Sequence, residues 1–65
     1  MDRHEILTRL AQLMAEEDAE KARYAGDEEM QMYIRVRQLG ISLAATTLGI
    51  LDEELTEEKK KYMPA

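Results

Sequence analysis

The sequence predicts an all-α fold: an antiparallel helical hairpin with a short C-terminal helix, assembling into a helical bundle. Three observations carry this. Pro occurs once, at Pro64, so no proline interrupts a helix before the C-terminus. No stretch alternates apolar and polar residues as a half-buried strand does. Two long segments repeat apolar residues at helical spacing, and the pair Gly26-Asp27 between them suits a tight turn. The expected helices cover about 2–25 and 28–54, and residues 1–65 form a single helical-hairpin domain.

Asp2 is placed to cap the first helix, with Glu5 three residues on in a capping-box position. Ile6, Leu7, Leu10, Leu13 and Met14 give that helix an apolar face, and Ala15, Ala19, Ala22 and Ala25 carry it onward among charges. Gly26 then stops the helix and Asp27 caps the next, whose first residues, Glu28 and Glu29, favour the positive end of the helix dipole.

The second helix holds two apolar seams. Met30, Ile34, Arg37, Ile41, Ala44, Leu48, Leu51 and Leu55 follow a heptad rhythm in which Arg37 is the polar exception. Met32, Val36, Leu39, Leu43, Thr46 and Ile50 form the other. Leu39 to Leu51 carries no charge, in a chain that is 35% charged. Helix 1 covers one seam, giving an expected intrachain core of Ile6, Leu10, Leu13, Ile34, Ile41, Ala44, Leu48 and Leu51. The second seam is left for another chain, so Met32, Val36, Leu39, Leu43, Thr46 and Ile50 are the expected oligomer interface, most simply of a four-helix homodimer. Thr56-Glu57-Glu58 begins the expected short third helix, which carries Tyr62 and Met63. Glycine weakens a helix interior by about 1 kcal/mol relative to Ala, so Gly40 and Gly49 both weaken the long helix, and Gly40-Ile41-Ser42 is the chief place where it would break. If the hairpin folds about Gly26, residue i lies roughly opposite 53 minus i, and Glu17 and Arg37 become a candidate ion pair.

Size supports assembly. A chain of 65 residues buries a modest core, and such chains commonly lean on disulfides, a metal or a partner. Cys is absent and His occurs once, which leaves oligomerisation. The net charge of −5 opposes general nucleic-acid binding, where phosphate neutralisation supplies most of the affinity. It suits a partner with a basic protein surface. The thirteen-residue uncharged run is shorter than the roughly 20 that span a membrane. No secretory signal pattern appears in Met1 to Glu5, so the expected location is cytoplasmic, with no membrane partner.

Catalytic signatures are missing. Glu16 and Glu20 share a helix face, but His4 does not complete the Glu-x-x-His pattern of carboxylate metal sites. Ser42, Thr46 and Thr47 have no His or Lys at helical spacing to activate them. No enzyme activity, cofactor or metal is therefore expected. Val36 to Ser42, V-R-Q-L-G-I-S, resembles the turn of DNA-binding helix-turn-helix pairs, which would imply a recognition helix after Ser42. The segment Leu43 to Leu51 departs from that pattern, with no Arg, Lys, Asn or Gln to read base edges.

The function expected is a small non-enzymatic protein–protein interaction module, a regulator, adaptor or inhibitor, acting as a homo-oligomer. The alternative is a binder of anionic small ligands or nucleotides with pockets at the subunit interface, for which Tyr33, Arg35 and Arg37 are the candidate residues. A helix-turn-helix DNA binder ranks third.

Overall fold

The structure, a computed structural model, describes residues 1–64. Helix α1 spans Arg3–Arg23. The Asp2 carboxylate accepts from the Glu5 backbone N–H at 2.8 Å and so satisfies one of the donors that a helix start leaves free. After α1, Gln31 reaches back and donates to the carbonyls of Lys21 (2.9 Å) and Tyr24 (2.6 Å), closing the helix end. Asp27 caps helix α2, Glu28–Thr47, by accepting from Met30 N–H at 3.0 Å. Helix α3 spans Asp52–Lys59 and continues into a 3₁₀ turn over Lys60–Tyr62.

Helix α2 passes through Gly40 without interruption and ends at Thr47, two residues before Gly49. There the Gly49 N–H donates to the Thr46 carbonyl (3.0 Å) and the Ile50 N–H to the Ala45 carbonyl (2.8 Å). This is the Schellman arrangement, which needs a left-handed residue between the helix and the departing chain. Gly49 supplies it at φ +78°. Ile50, just past the stop, folds back into the same buried cluster as Ala45, the usual hydrophobic partner of such a stop.

Several expectations are corrected by that turn. The second helix does not reach Glu54, and the third starts at Asp52 rather than Thr56. Leu48 (52% exposed) and Leu51 (65% exposed) are not core, because the chain reverses between them and the seam they would continue is cut. Ile50 is not an interface residue but a fully buried one, 1% exposed. Ala44 also lies outside the core; Ala45, one residue on, shares the inner side of the helix with Ile34 and Ile41. Because no turn forms at Gly40, the helix-turn-helix resemblance has no structural counterpart there.

Helix α1 is the hub. It packs against both α2 and α3, which touch each other much less. It runs antiparallel to α2, and α3 runs in the same sense as α1: Arg3 holds Glu54 at the start of α3 and Asp18 holds Lys59 at its end. A helix that must face two neighbours turns its small side chains inward, so Ala11 and Ala15 are buried with Leu7. Leu13 is therefore corrected as well: it points away from both neighbours and is 47% exposed. The core is Leu7, Ala11, Ala45, Ile50 and Leu55, with Ile6, Leu10, Met14 and Ile41 packed against it, and Ile34 is buried nearer the hairpin turn. Among the described residues, no helix is long and apolar enough to cross a membrane.

Candidate interaction surface

The side of α2 opposite its core face is the least conventional part of this surface. Ile34, Ile41 and Ala45 mark the inner side. At 100° per residue, Met32, Val36, Leu39 and Leu43 fall on the diametrically opposite side. All four are exposed, between 59% and 61%. Thr46 continues the stripe and is also exposed, and its hydroxyl donates to the Ser42 carbonyl at 3.0 Å. Thr47 does the same to Leu43 at 2.9 Å. Both hydroxyls are thus already engaged by the helix backbone, which lowers the polarity of this end of the face. Tyr33, 57% exposed, flanks the stripe.

This face lacks acid. The chain has fourteen Asp and Glu residues, and none lies between Met30 and Leu51. The carboxylates gather on α1, on α3 and around the hairpin turn, so the surface divides into acidic sides and a neutral, apolar one.

The inner contacts hold α2 in place. Arg37 Nε–H is shared between both Glu17 carboxylate oxygens, each at 2.9 Å, and Glu17 is the more buried partner. Arg37 is about half exposed, so a pair of this kind contributes about 0.2–1 kcal/mol at most, and its main effect is on register. Asp18 is a node between three helices. It accepts from Gln38 of α2 (2.7 Å) and from Lys59 of α3 (2.7 Å). Burial pushes its carboxyl up, but the hydrogen bonds from Lys59 and Gln38 and the charges of Lys59 and Lys21 outweigh this and hold it below the usual range. Arg3 straps the other end, donating to the Gly49 carbonyl (3.0 Å) and to Glu54 (2.7 Å). The hydrogen bond from Arg3 and a backbone donor from Leu51 keep the Glu54 carboxyl low.

Where α2 and α3 diverge, a cleft of about 390 Å³ opens over Met14, Leu39 and Leu55. Arg35 lines it together with Asp18 and Asp52. This decides what the expected anion residues do within one chain. Tyr33 and Arg35 are two residues apart and point about 200° from each other. Arg37 turns to Glu17 on α1. The three side chains do not converge in one subunit, and in the cleft that Arg35 borders, Arg35 and Lys59 are balanced by Asp18 and Asp52, so no excess of positive charge gathers there for an anion. Among the described residues, no three His, Cys, Asp or Glu side chains gather as metal ligands.

The sequence did not point to the Asp18 node, the Arg3 strap or the cleft. Asp18 looks like one of a run of solvated acids until α3 is laid against α1. The one available signal was Gly49 followed by an apolar residue, which marks a helix stop as readily as a weak helix interior.

Comparison with known proteins finds no match: no family model fits the chain, and no curated protein or solved structure is similar to it.

Proposed function

We propose that this chain is a small protein–protein interaction module that works as a homo-oligomer, with the outer face of α2 as its docking surface. The observation that supports this most is the exposure of Met32, Val36, Leu39 and Leu43 in one unbroken stripe. A helix that is apolar on opposite sides has one side too many for a monomer. Large exposed apolar patches on small chains mark interaction sites. The acidic sides formed by α1 and α3 remain free in such an assembly and suit a basic protein surface as the further partner. In this reading the chain contributes surface rather than chemistry, and its place is in the cytoplasm.

The test is light scattering on the wild-type chain and on the double variant Val36→Glu/Leu39→Glu. The wild type should scatter as a dimer or larger assembly and the double variant as a monomer with unchanged helicity. Burying an unpaired charge costs about 3–5 kcal/mol, so dissociation should be at least about 100-fold easier. Equal masses for the two proteins would refute the reading.

A further inference from the structure

We infer that two copies pair through α2 in antiparallel sense, about a two-fold axis that passes between Val36 and Leu39. This rests on the self-association proposed above and adds the partner's identity and orientation to it.

The spacing of the stripe is the first reason. Met32, Val36, Leu39 and Leu43 are separated by steps of 4, 3 and 4, a pattern that reads the same in either direction. Two copies laid antiparallel therefore interleave in register. Met32 of one meets Leu43 of the partner subunit, and Val36 meets Leu39 of the partner subunit, the alternation found in antiparallel helix pairs with a heptad seam.

Charge is the second reason. Acidic residues on α2 are confined to Glu28 and Glu29, at its start. Parallel pairing would bring these carboxylates beside their own copies and would align two helix dipoles. Antiparallel pairing opposes the two dipoles and moves the two sets of carboxylates about 25 Å apart along the axis, leaving Glu28 and Glu29 level with the uncharged Thr46 and Thr47 of the partner subunit. The same charge map selects a second copy over a basic protein as the occupant. A basic partner is recognised by carboxylates, and this face has none between Met30 and Leu51.

Shape and area agree. Gly40 lies beside the stripe, and among the described residues no neighbouring element comes within 4 Å of the position its Cβ would take, so this flank of α2 is open to a second helix. The chain exposes 4769 Å². A folded monomer of 7.5 kDa is expected to expose about 4250 Å². The excess of about 500 Å² is of the order that one subunit of a small dimer covers, given about 800 Å² per partner for a standard interface.

The absence of Cys makes disulfide mapping clean. Met32→Cys chains mixed with affinity-tagged Leu43→Cys chains and oxidised mildly should give the mixed disulfide, and Met32→Cys alone should give almost none. Two copies of residue 32 would be about 16 Å apart along the axis, beyond the roughly 7 Å between Cα atoms that a disulfide tolerates. A second readout leaves the stripe intact: spin labels at Glu29→Cys should lie about 25 Å apart along the axis in the antiparallel pair and be neighbours in a parallel one. Dimers in which Met32→Cys links to itself, or in which the Glu29 labels are adjacent, overturn the orientation and leave self-association standing. A wild-type chain that is monomeric by sedimentation overturns both. An assembly that forms only with a second, basic protein, and weakens as salt is added, overturns the choice of a second copy.

Discussion

Ile34 and Leu39 lie five residues apart on the same helix. Ile34 has no exposed surface, while Leu39 is 59% exposed. Both belong to apolar seams of heptad spacing, and nothing in the spacing separates them. The difference comes from what the rest of the chain can reach. Helix α1 covers one side of α2, and α3, held by Arg3 and Asp18 against α1, is too short and too far round to cover the other. A seam read from sequence thus states that a partner is needed, and only the fold says whether that partner lies in the same chain.

The contrast can be broken most sharply at its two ends. Ile34→Ala should lower unfolding stability by about 2–5 kcal/mol, a large part of what so small a domain has. Leu39→Ala, measured at concentrations low enough to keep the chain monomeric, should change it by no more than about 0.5 kcal/mol. Urea denaturation of both variants decides this, and equal losses would mean that the outer seam is covered within the chain.

The glycines come next and have opposite signs. Gly49→Ala forces a left-handed Cβ residue at the helix stop and should cost about 1–2 kcal/mol. Gly40→Ala, in mid-helix with open space around the new methyl, should stabilise the dilute chain by about 0.5–1 kcal/mol. Thermal melts at fixed low concentration measure both. Destabilisation by Gly40→Ala would place the break where the structure has continuous helix.

The smallest effect is expected from acid. The folded-state carboxyl of Asp18 is held below its ordinary value, so the unfolded chain binds its proton more readily. Its contribution is complete above the unfolded value of about 3.9 and is lost as pH falls through the lower, folded one. Asp18→Asn should therefore flatten the decline in stability below about pH 4 relative to wild type. An unchanged acid limb in denaturation curves taken across that range would show that the node joining α1, α2 and α3 carries no linkage.

Much of the hairpin was legible because its signals are local. Asp2 and Asp27 cap helices where their side chains reach a backbone donor three residues on, and Gly26 lies in the connection. The meeting of Glu17 with Arg37 follows from simple register arithmetic about that turn. The end of α2 was not legible, since a glycine within an apolar pattern is consistent with either a weakened helix or a Schellman stop. Once Gly49 is a stop, Leu48 and Leu51 lose their seam, Ile50 gains a core position, and α3 becomes long enough to bury Leu55 against α1. The inward turn of Ala11 and Ala15 in place of Leu13 depends on α3, so it too lay beyond a reading that assumed two helices facing each other. Of the candidate interface, the five residues on unbroken helix, Met32, Val36, Leu39, Leu43 and Thr46, are on the surface; Ile50, beyond the stop, is not.

In the proposed dimer the outer side of α2 is covered by a second copy of the chain. Sedimentation velocity on the wild-type protein across a dilution series tests it most directly. The protein should sediment at high concentration as a species of twice the chain's 7.5 kDa mass that dissociates reversibly on dilution and is not weakened by added salt. A single 7.5 kDa species at every concentration would contradict it.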